Sequence, residues 1–275
     1  MYAFTRNEST ALKNKFIRWF IKHYQVDMSL AQCEDPTAFR HFNDFFTRQL
    51  KSEARPLCSN PHGIACPVDG TISQIGQIKN HAVFQAKGRH FTLNELLAGQ
   101  SAWVDKFVDG SFATLYLSPK DYHRIHMPLD GTLRQMTYIP GKLFSVNAAT
   151  ARAVPRLFAR NERVACFFDT AVGPMAVILV GALFVGSMET IWHGVVTPPH
   201  GKSISHWYYN QRDQQGSGAD AGHQHCVHLE KGAELGRFNM GSTVVLLFGP
   251  KATQWNDTLQ HDSTIQMGIE LATRS

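Results

Sequence analysis

The sequence predicts an α+β protein: an N-terminal amphipathic helical segment, residues 1–55, on a β-rich catalytic body, residues 56–275. Apolar residues recur at helical spacing before position 50, whereas beyond Arg55-Pro56 the pattern changes to short apolar runs broken by glycine. The chain has 275 residues, 43% of them hydrophobic and 18% charged, enough for a buried core without disulfide staples.

From Ser9 to Tyr24, Leu12, Phe16, Trp19, Phe20 and Tyr24 follow a helical stripe while Lys15, Arg18 and Lys22 gather on another face. A basic amphipathic helix of this kind either lies in the interface of an anionic bilayer or packs on the body with its lysines in water. Asp35 as cap and Pro36 at the first position signal a second helix, with Phe39, Phe42, Phe46 and Leu50 on one stripe that suits core packing. Strands are expected over Gly70–Ile78, Ser111–Leu117, Gly131–Ile139 and Val164–Asp169, and a short helix over Thr92–Ala98 stopped by Gly99.

The uncharged stretch Thr170–Met188 is long enough to span a bilayer. Gly173-Pro174 opens it, Gly181 and Gly186 divide it, and Val, Ile and Phe dominate the pieces, so paired buried strands are expected instead. Tyr208–Gln224 reads as an exposed loop. His223, His225 and His228 follow, but no acidic or cysteine partner is spaced to complete a cage, so no metal is expected.

The five cysteines are odd in number and lack a Cys-x-x-Cys pair, which fits a reducing compartment. Residues 1–10 carry no apolar core with a cleavage site, so the expected location is cytoplasmic. The formal charge of +5 suits an anionic partner, nucleic acid or membrane, and with the basic residues scattered, charge alone does not choose.

Three places concentrate reactive groups. Asp69 stands in Pro67-Val68-Asp69-Gly70, which by itself is a turn. His123 and His126 share Tyr122-His123-Arg124-Ile125-His126-Met127-Pro128, where a neutral imidazole could take a hydroxyl proton if a carboxylate held its other nitrogen. Gly241-Ser242-Thr243 opens the apolar run Val244–Phe248, and glycine before serine leaves a carbonyl open to the hydroxyl. Asp69, His126 and Ser242 thus supply acid, base and nucleophile, with no Gly-x-Ser-x-Gly elbow present. A serine hydrolase that leaves itself whole, or a lipid-binding protein with a dead site, would use the same residues differently.

The chain resembles the bacterial pyruvoyl-dependent phosphatidylserine decarboxylases. The likeness is carried by Phe45-Phe46-Thr47-Arg48 with Arg55-Pro56, Val68-Asp69-Gly70, Lys87-Gly88 with Leu96-Leu97, the segment Tyr122–Pro128, Asn161-Glu162-Arg163, and Glu234-Leu235-Gly236-Arg237-Phe238 leading to Gly241-Ser242-Thr243. The resemblance implies a proenzyme that cuts itself between Gly241 and Ser242 into a β chain (1–241) and an α chain (242–275), with Ser242 becoming a covalent pyruvoyl cofactor. It implies decarboxylation of phosphatidylserine to phosphatidylethanolamine through a Schiff base, with Asp69 and His126 serving cleavage and His123 returning a proton. It further implies the substrate lipid in an anionic membrane as partner rather than nucleic acid, peripheral attachment to the cytoplasmic face, and a homodimer. Met240 where leucine is usual, a shorter N-terminal region and a longer 208–224 loop depart from that pattern.

Overall fold

The computed structural model describes residues 5–182, 187–209, 223–224, 226–239 and 242–275, without the side chains of 223 and 224. Most of the expected 208–224 loop, His225, Met240 and Gly241 therefore lie outside the described residues.

Helix α1 (Thr10–Tyr24) follows the apolar spacing and ends at Gln25, whose φ of 54° turns the chain back. It buries Ile17 and Phe20 in an aromatic core shared with Phe39, Phe42, Phe45 and Phe46. Phe20 meets Phe42 edge-on at 5.0 Å and Phe45 at 5.9 Å, the arrangement ring quadrupoles favour. The stripe read from sequence divides here. Leu12 and Trp19 stay outside, 45% and 51% exposed, beside the exposed Lys15, Arg18 and Lys22.

The second helix is shorter than the sequence implies. Helix α2 (Phe42–Phe46) is five residues long, and its cap is His41, whose Nδ1 accepts from the Asp44 amide. Asp35 instead accepts from the Thr37 amide and hydroxyl, closing a local turn in competition with helix. The short helix after residue 92 is α3 (Leu93–Leu96), opened by a reciprocal Thr92–Glu95 capping box.

The body is built from β1 (Gly70–Gln77), β2 (Ser111–Leu117), β3 (Arg124–His126), β4 (Gly131–Ile139), β5 (Arg163–Thr170), β6 (Gly173–Val180), β7 (Met188–Thr190), β8 (Gly194–Thr197), β9 (Ser205–Tyr209), β10 (Glu234–Phe238) and β11 (Ser242–Phe248). A large sheet runs β9-β4-β5-β6-β11-β2-β1, extended by His223–Gln224 beside β9 and Thr264–Ile265 beside β1. A small sheet runs β8-β7-β10-β3. The stretch expected to form paired strands instead supplies one strand, β6, which pairs antiparallel with β5 on one side and β11 on the other; residues 183–186, with Gly186, lie outside the described residues. Among the described residues no helix is long and apolar enough to cross a membrane.

Strand β11 has neighbours on both sides and is buried at all seven positions, which explains its unbroken apolar run. Each of its large apolar side chains contributes roughly 1.5–3 kcal/mol by leaving water.

One of the places where the chain passes between the two sheets lies at the ends of β2 and β10. Ser242 opens β11 opposite Leu117, the last residue of β2, while Arg237 near the end of β10 pairs with Arg124 at the start of β3. The connection 118–123 therefore crosses from the large sheet to the small one alongside the end of β10. The Phe238 amide donates to the His123 carbonyl at 3.0 Å and ties them together. Gly70, next to this crossing, has a φ of +151°, and a Cβ there would lie 2.1 Å from the Tyr116 carbonyl oxygen, so only glycine lets β1 close on β2.

Candidate active site

Ser242 sits at the first position of a wholly buried strand, and its Oγ is enclosed without a hydrogen-bond partner among the described residues. Just upstream, Asn239 is held on three sides. Its amide donates to the Ser187 carbonyl at 3.1 Å, its Oδ1 accepts from Asn43 Nδ2 at 2.8 Å, and its Nδ2 donates to Ser187 Oγ. Helix α2 thus grips the segment leading to the Gly241-Ser242 bond.

His123 is fully enclosed, its ring stacked on Phe46 at a centroid distance of 4.0 Å. Its Nε2 lies 3.1 Å from the Ser118 carbonyl, which can only accept, so the proton is on Nε2 and Nδ1 is left with a lone pair that meets no donor among the described residues. Burial, with help from the Arg48 cation, pushes its pKa down to about 3, so the ring is neutral.

His126 sits three residues on, in β3. Its Nδ1 donates to the Gly232 carbonyl at 2.8 Å, and its Nε2 accepts from the Tyr122 hydroxyl at 3.1 Å. Burial lowers its pKa, partly offset by the Gly232 bond and by the nearby carboxylates of Glu234 and Asp69. Its backbone amide donates to the Pro67 carbonyl at 2.9 Å, which brings β3 against the Val68-Asp69-Gly70 turn.

Asp69 is close by but is not bonded to His126. The Arg55 guanidinium grips it as a fork, with Nε at 2.8 Å from Oδ1 and Nη2 at 2.5 Å from Oδ2, and Oδ1 also accepts the Met267 amide at 2.9 Å. The carboxylate expected to fix the His126 tautomer is therefore occupied, and a backbone carbonyl fixes it instead. Asp69 still acts on His126 through space, favouring its protonated form.

A cavity of about 500 Å³ reaches this histidine, lined by Gln49, Lys51, Tyr122, Arg124, His126 and Glu234 among others. Arg124 is fixed there by Glu234 at 2.7 Å and by the Thr47 carbonyl at 2.8 Å. Away from this region, His228 Nδ1 pairs with the Thr132 hydroxyl at 3.0 Å, and the described residues contain no His, Cys, Asp and Glu grouping suited to a metal.

The structure thus places His123 on the crossing beside the start of β11, where Ser242 stands, and brings His126 near Asp69 through the contact of β3 with Pro67; among the described residues no hydrogen bond joins Ser242 Oγ to any of the three. Sequence reasoning named Tyr122 and Arg55 but gave them no role, and it overlooked Gly232 and the Asn43–Asn239 contact. Tyr122, four residues before His126, carried a visible signal. The Gly232 carbonyl carried none, since any residue type has one and only the fold delivers it.

By class, this is a β-rich chain with an enclosed serine opening a buried strand, a neutral imidazole, His123, on the crossing beside it, and a second imidazole, His126, in β3. A family model described as phosphatidylserine decarboxylase matches residues 42–273. Proteins named phosphatidylserine decarboxylase proenzyme are similar along nearly the whole chain. That of Stutzerimonas stutzeri is 55% identical over 94% of this chain and 84% of its own length, and that of Pseudomonas fluorescens (strain Pf0-1) is 56% identical over 94% and 87%. The Ectopseudomonas mendocina protein is 55% identical over 94% of this chain and 86% of its own. The chain belongs to the phosphatidylserine decarboxylase family.

Proposed function

We propose that this chain decarboxylates phosphatidylserine to phosphatidylethanolamine with a pyruvoyl group made from its own Ser242 by scission of the Gly241–Ser242 bond. The observation that carries the reading is the enclosed Ser242 Oγ, which meets no hydrogen-bond partner among the described residues, because buried hydroxyls nearly always have one. A pyruvoyl group is no larger than the serine residue it replaces, so the same enclosure suits it.

In cleavage, His126 takes the Ser242 hydroxyl proton at Nε2 once the Tyr122 hydroxyl moves aside. The serine oxygen attacks the Gly241 carbonyl, the C–N bond breaks as the C–O bond forms, and the freed nitrogen takes the proton, so the amide becomes an ester. Removal of the Ser242 α-proton then expels the Gly241 carboxylate, and the dehydroalanine left behind adds water and releases ammonia to give the ketone. The pyruvoyl group would supply an electron sink, its ketone condensing with the substrate amine and accepting the electrons left by departing carbon dioxide. His123, neutral and with a free Nδ1 pair, relays a proton to the substrate α-carbon rather than storing one, because burial disfavours the imidazolium.

The substrate is taken from an anionic bilayer to which the chain attaches peripherally on the cytoplasmic face, through the Leu12 and Trp19 face of α1 and its cations. In this reading the chain divides at residue 55 into a membrane-associating segment and a catalytic domain, and it works as a homodimer.

Denaturing electrophoresis with mass spectrometry tests the core of the proposal. Two fragments are expected, 1–241 and 242–275, the second beginning with a blocked pyruvoyl group. A single intact chain after full expression would sink it and favour a serine hydrolase that does not cut itself. Ser242→Ala, His126→Ala and Asp69→Ala are each expected to stay uncut, while His123→Ala matures and loses turnover.

A further inference from the structure

Among the described residues Arg48 forms no ion pair. It lies two residues past the end of α2 and is only 5% exposed, yet among the described residues neither Nε nor Nη1 has a hydrogen-bond partner, and Nη2 has only the Lys120 carbonyl at 3.3 Å. The carboxylates whose fields reach it are engaged elsewhere. Asp69 is forked by Arg55, and Asp121 accepts from the Ser118 amide and hydroxyl. The Phe45 ring, 5.4 Å from the guanidinium carbon, offers a cation–π contact but satisfies no N–H. Desolvation lowers the Arg48 pKa to about 10, which leaves the group charged at neutral pH. A buried, unpaired cation is costly, and natural folds keep one where an anion is to be received.

Its surroundings say where that anion comes from. Arg48 lines a cavity of about 240 Å³, and Gln32, Gln49 and Arg124 line both this cavity and the larger one at His126, so the two adjoin. Arg48 also acts electrostatically on His123, at the crossing that holds Ser242. A headgroup reacting at Ser242 carries two anions, its carboxylate and its phosphodiester. A guanidinium on the carboxylate would stabilise the ground state, because that charge vanishes as carbon dioxide leaves. On the phosphodiester it binds equally before and after reaction, and the carboxylate stays free to lose its charge in an apolar site.

We propose that Arg48 receives the phosphodiester of the lipid headgroup through its free guanidinium N–H groups. This rests on the decarboxylase reading, so the wild-type full chain is assayed first. If it neither cuts itself nor decarboxylates phosphatidylserine, the function proposed above fails, and that result is distinct from the ones that follow.

Arg48→Gln and Arg48→Lys are then compared with wild type in mixed micelles, with self-cleavage checked by denaturing electrophoresis. Both variants are expected to mature. Arg48→Gln should raise KM for phosphatidylserine roughly ten- to a hundredfold and weaken inhibition by phosphatidylethanolamine by the same factor, because the product keeps the phosphodiester. Arg48→Lys should recover part of both. Unchanged inhibition by phosphatidylethanolamine alongside a raised KM for phosphatidylserine would place the guanidinium on the carboxylate and overturn the proposal. A fall in kcat with both affinities intact would overturn it too. Failure of both variants to self-cleave would assign Arg48 to maturation instead.

Discussion

His123 carries the cost of its enclosure in its proton affinity. Its pKa in the folded chain, about 3, lies below the ordinary 6.5, so the unfolded chain binds the proton more readily. The corresponding stability is fully present above about pH 6.5 and is lost as pH falls toward 3, amounting to about 2 kcal/mol by pH 5. In the uncut Ser242→Ala chain, urea unfolding at pH 7 and pH 5 should show this loss, and adding His123→Asn should flatten it. An unchanged pH dependence would mean the ring is not desolvated in solution. Sequence singled out His123 because two histidines lie three apart. It could not give their unequal settings, since the Ser118 and Gly232 carbonyls that fix the two tautomers come from the backbone and leave no signature in residue type.

The elements around the site show a similar division between what sequence reveals and what packing decides. Strand β2 and strand β4 were legible to the residue, because short apolar runs and glycine boundaries are local properties. Helix α2 was overdrawn, because the Asp35-Pro36 start signal is satisfied by a turn instead. Its main connection, Asn43 to Asn239, joins distant parts of the chain and was invisible. Asn239→Ala would leave the Asn43 amide unsatisfied, a loss of about 1–3 kcal/mol, and would loosen the segment before Ser242. Self-cleavage is expected to slow by roughly tenfold or more, followed as the appearance of the smaller fragment with time, since misplacement of reacting groups is costly. On α1, Trp19→Ala should leave the unfolding midpoint nearly unchanged, because the ring is half-exposed, yet reduce sedimentation with vesicles containing anionic lipid. Equal sedimentation would remove this face from membrane attachment.

At the scale of the whole molecule, the β-rich class and the helical start were readable from periodicity, whereas the meeting of two sheets at the site was not. That meeting depends on the register of Ser242 on Leu117 and of Arg237 on Arg124, pairings that only long-range closure selects. The same register has a consequence for the proposed cut. Strand β11 is clasped between β6 and β2, and the last strand, Glu270–Arg274, pairs with Gly63–Ala65. Scission at Gly241–Ser242 would therefore leave the C-terminal piece woven into the rest, with no pairing lost. What scission removes is the tether that made folding a one-chain event. Refolding of the matured enzyme from denaturant should become bimolecular, its yield rising with protein concentration, while uncut Ser242→Ala refolds at a rate independent of concentration. Maturation would then work as a ratchet: the covalent chain is needed to find the fold, and once cut, the fold persists by its barrier to unfolding.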